Sequence, residues 1–269
     1  MRLTYLGTAA AEGFPAVFCR CPYCVEARRL GGKNIRTRSQ ALVDGELLID
    51  LPADTYHHFL THGIEGDRIP YLLLTHAHRD HLYPTELLNR SGAYAHGMRA
   101  PVLHVYATAG TCAAVGEAPE GVALHVLTPY ETEAVGPYRI TALPARHMPG
   151  GDAAFYVIEG DKTLLYAHDT GYPTEEALHF LRTRGFVFDM VSLDCTNIDI
   201  PSGDEGHHMD LLHVGRLLTA LTDMGALTEK TLRYVNHFSH NGNPLHEPLS
   251  ERARTVGCQV AYDGCTVDF

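Results

Sequence analysis

The sequence predicts an α/β protein in which mixed β-sheets are layered with helices. Short apolar runs with the composition of strands recur in clusters, and helical patterns lie between the clusters. Two turn signals, Val43-Asp44-Gly45-Glu46 and Glu159-Gly160-Asp161-Lys162, join neighbouring apolar runs and predict two antiparallel hairpins. The predicted strands cover residues 3–6, 41–43, 47–50, 71–75, 102–106, 123–127, 138–143, 154–158, 163–166, 190–193 and 232–235.

The helical segments and loops complete this arrangement. The Gly/Pro-rich stretches 146–152 and 200–206 are too short to separate domains, and we interpret them as active-site loops. The sequence has neither an internal repeat nor a low-complexity linker, so residues 1–269 are predicted to form one domain. This pattern alone fits several α/β folds. The predicted helices cover residues 53–61, 85–89, 174–183, 209–222 and 248–254.

Composition excludes several classes of protein. Hydrophobic residues make up 45% of the chain and charged residues 20%, which is too apolar for a disordered protein. The formal net charge is −11 and no block of Lys and Arg is present, so long nucleic acid is not expected as a partner. The start lacks a signal-peptide pattern and no apolar stretch reaches about 18 residues. We therefore expect a cytoplasmic protein without a membrane partner, and a homodimer is compatible with the sequence.

The strongest chemical signal follows the predicted strand 71–75. The segment His76-Ala77-His78-Arg79-Asp80-His81 places four potential metal ligands within six residues. Imidazole and carboxylate groups suit zinc, iron or manganese, and alternate residues of an extended segment can face the same ion. A turn then directs Asp80 and His81 toward a second ion. The sequence thus predicts a metal site at the end of this strand.

This segment resembles the hallmark of the metallo-β-lactamase superfamily, which is His-x-His-x-Asp-His after a strand. Further matches follow in the family's order: Leu6-Gly7-Thr8, His147 after a strand, Tyr166-Ala167-His168-Asp169-Thr170-Gly171, and His237-Phe238-Ser239-His240. The resemblance covers nearly the whole chain and implies a four-layer αββα metallo-β-lactamase sandwich. His168 stands where the family often has glycine and is assigned no role.

The resemblance also implies a ligand set. It assigns His76, His78 and His147 to one ion, Asp80, His81 and His237 to the other, and Asp169 to a bridge between them. Room would remain for a bridging water whose pKa two cations lower enough to give hydroxide, the expected nucleophile. Zinc or manganese is expected, and iron or nickel fits the same ligands.

A second cluster near the N-terminus predicts a separate zinc site within a zinc-binding loop at 13–25. Cys19, Cys21 and Cys24 form Cys-x-Cys-x-x-Cys, which provides three thiolates for one tetrahedral zinc. His240 lies three residues after His237, so a short turn could direct it toward the thiolates as the fourth ligand. The result would be a closed structural site that pins the N-terminal loop beside His237.

The two clusters together look like the phosphoribosyl cyclic phosphodiesterases of the carbon-phosphorus lyase pathway. The resemblance implies a small phosphodiester substrate, such as a phosphoribosyl cyclic phosphate, with Asp80 and His208 as candidate catalytic residues. His208 opens a helix in the segment Gly206-His207-His208-Met209-Asp210, where phosphodiesterase relatives present a histidine. His207 is the weaker candidate of the two.

Two other functions remain open at this point. One is a tRNA-processing nuclease of the same superfamily, which the acidic net charge disfavours. The other is a redox or non-hydrolytic protein of cofactor biosynthesis, because the stretch from Leu6 to Cys24 also resembles a pyrroloquinoline quinone biosynthesis protein. That relative departs from the complete hydrolase ligand set, whereas every ligand position is filled here. Sequence does not place Arg79, Arg146 and Asp194 relative to the site.

Overall fold

Two seven-stranded sheets form the centre of the protein in a computed structural model that describes residues 1–148 and 152–269. The first sheet has the order β14-β1-β2-β3-β4-β5-β6 and the second the order β13-β12-β11-β10-β9-β8-β7. The strands of the first sheet are β1 Arg2–Gly7, β2 Gln40–Val43, β3 Leu47–Ile49, β4 Tyr71–Leu73, β5 Leu103–Ala107, β6 Val122–Val126 and β14 Thr266–Asp268. Those of the second sheet are β7 Thr132–Val135, β8 Tyr138–Pro144, β9 Ala154–Glu159, β10 Thr163–Ala167, β11 Met190–Asp194, β12 Leu232–Asn236 and β13 Gln259–Val260.

Both sheets are mixed, and their hairpins match the turn signals in the sequence. β2 pairs antiparallel with β3, and β9 pairs antiparallel with β10, so both predicted hairpins are confirmed. Beyond them, β3 to β6 run parallel in the first sheet and β10 to β13 run parallel in the second. In each sheet, therefore, the carboxyl ends of neighbouring parallel strands lie at one edge.

Helices cover the outer face of each sheet. Leu164 and Tyr166 of β10 pack in the core between the sheets, whereas Leu165 and Ala167 pack toward the helices, as the period of a strand dictates. The result is the four-layer αββα sandwich that the family resemblance implies. The helices are α1 Pro22–Leu30, α2 Thr55–His62, α3 Ala109–Val115, α4 Glu175–Arg184, α5 Leu211–Asp223 and α6 His246–Thr255.

The predicted helices agree with these elements to within a few residues, with one exception. The segment 85–89 lies in a 3₁₀ helix, Pro84–Arg90, rather than an α-helix. Two α-helices were not predicted. α1 begins inside the predicted zinc loop, and α3 lacks a clear apolar stripe. Within the part of the chain that the structure describes, no helix combines the length and apolarity needed to span a bilayer.

Local signals explain where the helices next to the site begin. The Thr174 side chain accepts a hydrogen bond from the backbone N–H of Ala177 and caps α4, and the Asp210 side chain does the same for His213 at α5. The cap of α5 also fixes the segment that carries His208. The predicted active-site loop 146–152 lies partly outside the described residues.

Candidate metal centre

The predicted ligands lie where strands of the two sheets end beside each other. His76 follows β4 in the first sheet, while Asp169 and His237 follow β10 and β12 in the second. The loop after β4 turns back on itself, because the backbone N–H of His81 donates to the carbonyl of His78 at 2.9 Å. Residues that are far apart in sequence therefore meet at one place.

The first ligand group contains His76, His78 and His147, whose ligand atoms lie within 4.8 Å of one another. His78 Nδ1 is 2.9 Å from His147 Nε2. Burial lowers the pKa of His147 to about 4 and that of His76 well below its usual range. Both imidazoles are therefore neutral near pH 7, which is the form that binds metals. His78 is exposed and marks the open side of the group.

The second group contains Asp80, His81 and His237, which are all buried. His81 Nε2 lies 3.3 Å from Asp80 Oδ2 and 3.2 Å from His237 Nε2. These three ligand atoms therefore converge on one small volume.

Asp169 lies between the two groups. Its Oδ2 is 2.6 Å from His81 Nε2 and 2.9 Å from His237 Nε2, and its Oδ1 is 3.4 Å from His147 Nε2. Although burial favours the neutral acid, the His237 and His81 rings hold the pKa of Asp169 well below its usual range. A buried carboxylate thus has one oxygen toward each group, as a bridging ligand requires.

Unpartnered atoms in these groups fit metal ions. Within residues 1–148 and 152–269, His76 Nε2 and Asp169 Oδ2 are buried without a hydrogen-bond partner, although other nitrogens lie close to Asp169. Buried polar atoms without a partner are costly and rare in proteins. Nitrogen and oxygen donors arranged in this way suit divalent ions such as zinc, manganese or iron. The structure thus brings all seven predicted ligands together, and their binding of ions stays a prediction.

Two residues that support the ligands were missed by sequence reasoning. The Asp50 carboxylate lies at the end of β3, with Oδ2 2.7 Å from His81 Nδ1, and its Oδ1 accepts a hydrogen bond from the backbone N–H of Thr75 at 2.8 Å. Thr196 Oγ1 lies 2.7 Å from His237 Nδ1. Such partners fix the orientation of a ligating imidazole through its second nitrogen. Nothing in the local sequence around Asp50 or Thr196 marks this role.

His208 lies beside the metal ligands and is the better placed of the two candidate histidines. Its ring centroid is 4.8 Å from that of His147, and its Nδ1 is 3.0 Å from Asp194 Oδ2. Burial disfavours its charged form, but Asp194 and Asp169 raise the pKa of His208 to about 9. The side chain is 24% exposed, so part of the ring is accessible to solvent. Asp194, which sequence could not place, is thus its fully buried partner.

Neighbouring loops hold His208 in position. A β-carbon at Gly171 would collide with the carbonyl oxygen of Gly206, so the loop after Asp169 packs directly against the segment before His208. The side chain of His207 is exposed, and its carbonyl lies 3.3 Å from His147 Nδ1. His207 therefore contacts the site through its backbone, and His208 through its side chain. Arg146, in the loop after β8, forms an ion pair at 2.5 Å with Glu205, which lies in the segment before His208.

The cysteine cluster forms a second group with His240. The Sγ atoms of Cys19, Cys21 and Cys24 lie 3.5, 3.7 and 3.7 Å from His240 Nδ1. Tetrahedral zinc with Zn–S near 2.3 Å and Zn–N near 2.0 Å separates sulfur from nitrogen by roughly 3.6 Å. Hydrogen bonds with His240 and Cys24 lower the pKa of Cys21 to about 6 despite burial, whereas burial raises the pKa of Cys24 to about 12. The donor atoms therefore fit one tetrahedral zinc ion.

Comparisons with known proteins agree with this geometry. A family model described as a beta-lactamase superfamily domain matches residues 47–235. No curated protein sequence is similar enough to count as a match. Three solved structures share the fold over the whole chain, and identities this low show the fold alone.

The first structure is a diphosphatase from the PhnP family, with 22% identity, a TM-score of 0.75 and coverage of 100% of this chain and 97% of that chain. Zn²⁺-bound PqqB from Methylobacterium extorquens has 21% identity, a TM-score of 0.78 and complete coverage of both chains. Human tRNase Z, short form, has 15% identity, a TM-score of 0.65 and coverage of 100% of this chain and 99% of that chain. Because the family model matches more than half of the chain, the protein belongs to the metallo-β-lactamase superfamily.

Proposed function

We propose that this protein is a metal-dependent phosphodiesterase that hydrolyses a small, cyclic phosphodiester such as a phosphoribosyl cyclic phosphate. The observation that carries the proposal is the position of His208. Its side chain is partly exposed and lies beside two complete groups of predicted metal ligands. The coarser function, a metal-dependent hydrolase, is what the superfamily and the ligand groups support. The structural likeness to a PhnP-family diphosphatase is compatible with the more specific proposal, a phosphodiesterase for a small cyclic substrate.

Each group of residues has a separate task in this reaction. His76, His78 and His147 would hold one divalent ion and Asp80, His81 and His237 the other, with Asp169 shared. When bound, the ions supply Lewis-acid catalysis, which stabilises charge on phosphoryl oxygens and lowers the pKa of water. The protein contributes a site whose buried carboxylates and imidazoles are already oriented before the substrate arrives.

His208 would contact the substrate itself. Its Nδ1 is engaged by Asp194 at 3.0 Å, and within the described residues its Nε2 has no hydrogen-bond partner. A ring fixed at one nitrogen can present the other to a phosphoryl oxygen or to the leaving oxygen. The buried Asp194 carboxylate thus acts as the residue that orients His208.

Charge favours a small substrate over a structured RNA. The chain has a formal net charge of −11, and a protein that grips a long phosphate backbone needs several cationic contacts. The structural likeness to tRNase Z therefore supports the fold and does not favour a nuclease. The complete set of ligand groups favours hydrolysis over the cofactor-biosynthesis alternative.

Replacement of His208 by alanine should lower turnover on a phosphodiester about a hundredfold or more, since positioned acid–base groups contribute about 10²–10⁴ in rate. Asp169, Asp194, His208 and His237 also present ligand atoms within 4.8 Å of one another, but the predicted ligand set does not include His208, so the metal content should stay that of the wild type. His207→Ala is the matched control, since the His207 side chain is exposed and its approach to His147 is through the backbone carbonyl. Steady-state kinetics and elemental analysis of the purified variants test this, and equal loss in both variants would contradict the assignment.

A substrate panel tests the proposed function as a whole. The metal-loaded protein would be assayed with bis-para-nitrophenyl phosphate, cyclic nucleotides, a cyclic ribose phosphate, a tRNA precursor and a thioester. We expect the cyclic ribose phosphate to give the highest kcat/KM and the tRNA precursor to remain intact. Cleavage of only the tRNA precursor or only the thioester would overturn the phosphodiesterase assignment in favour of those chemistries.

A further inference from the structure

A buried polar cluster lies directly beneath two of the proposed metal ligands. It consists of Tyr5 on β1, His168 after β10, Ser192 on β11 and Asn236 at the end of β12. All four side chains are buried, and all but Tyr5 belong to the sheet that delivers Asp169 and His237. Polar side chains in such a place need a structural or functional reason, because desolvation disfavours them.

Hydrogen bonds connect the members of this cluster into a chain. His168 Nε2 lies 2.7 Å from Ser192 Oγ, which in turn lies 2.6 Å from the Tyr5 hydroxyl of the first sheet. On the other side of the ring, His168 Nδ1 is 3.4 Å from Asn236 Nδ2. The Tyr166 ring packs on the imidazole with centroids 3.9 Å apart. Both ring nitrogens are thus engaged and the ring is held on one face.

The position of His168 and Asn236 in the sequence gives the cluster its significance. His168 immediately precedes Asp169, and Asn236 immediately precedes His237. Their contact therefore links the peptides that carry two proposed ligands, across the intervening strand β11. Asp169 Oδ2 and His237 Nε2 are only 2.9 Å apart above this link.

Both ligands also have an unfavourable backbone conformation. Asp169 has φ of 48° and His237 has φ of 65°, in the left-handed region that residues with a β-carbon avoid. Such conformations persist only where the surroundings fix them. The hydrogen-bonded cluster lies directly before both residues and can therefore contribute to fixing both backbones.

We propose that His168 is a positioning residue, which holds the backbones of Asp169 and His237 in the relative placement that metal binding requires. The inference rests on the proposed metal centre but not on any particular substrate. Through its two ring nitrogens, the His168 side chain connects the peptide before Asp169 to Ser192 on β11 and to Asn236 before His237. Removal of those partners should therefore weaken metal binding more than it weakens the fold.

Three variants separate hydrogen bonding from volume. His168→Leu fills the position with an apolar side chain and removes both hydrogen-bonding contacts. His168→Gln can keep the contact to Ser192, and His168→Asn can keep the contact to Asn236. His246→Leu is the matched control, because His246 is also a buried histidine, with its Nδ1 3.4 Å from the Arg36 guanidinium. It lies in α6 and outside the ligand groups.

The experiment titrates metal-stripped protein with Mn²⁺ and measures the free ion by electron paramagnetic resonance. Mn²⁺ favours nitrogen and oxygen ligands over the thiolates of the cysteine cluster. Loss of a residue that orients metal ligands typically weakens metal binding 10–100-fold, and we expect this range for His168→Leu. His168→Gln and His168→Asn should fall between that variant and the wild type, and His246→Leu should bind within twofold of the wild type.

Thermal unfolding of the metal-free proteins provides the second readout. We expect His168→Leu and His246→Leu to lower the melting temperature by similar amounts, while only the former loses metal affinity. Equal Mn²⁺ affinity in His168→Leu and the wild type, or an equal loss in His246→Leu, would overturn the positioning role. If His168→Leu does not fold, the ranking of His168→Gln, His168→Asn and the wild type decides the question. Failure of the wild type to bind Mn²⁺, Zn²⁺ or Fe²⁺ would instead refute the proposed metal centre.

Discussion

Asp169→Asn is expected to abolish hydrolysis and to lower the affinity for both active-site ions by two to three orders of magnitude. The carboxylate is buried within 3.4 Å of ligand atoms in both groups, and asparagine removes its negative charge without changing its size. Removing one partner from a buried ionic arrangement costs about 3–5 kcal/mol, and each 1.4 kcal/mol is about tenfold in affinity. Elemental analysis after dialysis and steady-state rates measure the two effects.

Asp189→Asn is the matched control for that substitution. Asp189 lies just before β11, at the opposite end of the strand from Asp194. Its carboxylate accepts hydrogen bonds from the backbone N–H of Thr163 and from the Lys162 ammonium, each at 2.9 Å. Its loss should affect stability modestly and leave the metal content unchanged. A wild-type metal content in Asp169→Asn would contradict its place as a shared ligand.

Cys21→Ser is expected to lower the zinc content by about one ion of roughly three per chain, together with thermal stability and activity. Activity should fall because the stretch that leads into the cysteine loop is joined to the segment after His237. The backbone N–H of Ala10 donates to the carbonyl of Phe238 at 3.1 Å, and the Ser239 hydroxyl donates to Glu12 at 2.7 Å. Losing the zinc would release the loop that orients a catalytic-site ligand.

Cys112→Ser tests whether this result is specific to the cluster. Cys112 is buried in α3, outside the cysteine cluster. Its replacement should leave the zinc content unaltered. Zinc stoichiometry from mass spectrometry and melting temperatures from calorimetry give the comparison, and an unchanged stoichiometry in Cys21→Ser would refute the structural zinc site.

Much of this fold could be predicted because its central strands are apolar on both faces. Residues such as those of β10 are buried between the sheets and under the helices, so they form uninterrupted apolar runs. The missed strands, β7, β13 and β14, are short, lie at sheet edges and include polar residues. In the same way, α1 was not predicted because it begins inside the cysteine cluster and contains Cys24, although Pro22 marks its start.

The proposed ligands could be predicted from the family resemblance, whereas their partners could not. Asp50 and Asp194 each end a strand, and many aspartates occupy such positions without a role. Their contacts with His81 and His208 arise from the register of strands and the path of loops that are distant in sequence. The role proposed for His168 likewise could not be predicted, because it depends on the residues that lie beneath Asp169.

The two sheets each supply part of one ligand group, and this has a kinetic consequence. His81 and His237 approach to 3.2 Å although 156 residues separate them in the chain. Contacts of such long range slow folding, because the entropy of loop closure is lost before the contacts form. An interaction that forms only after the transition state, as metal binding to the assembled site would, slows unfolding without accelerating folding. Bound ions would therefore raise the activation barrier to separating the two sheets. The lifetime of the native state would then depend on metal supply.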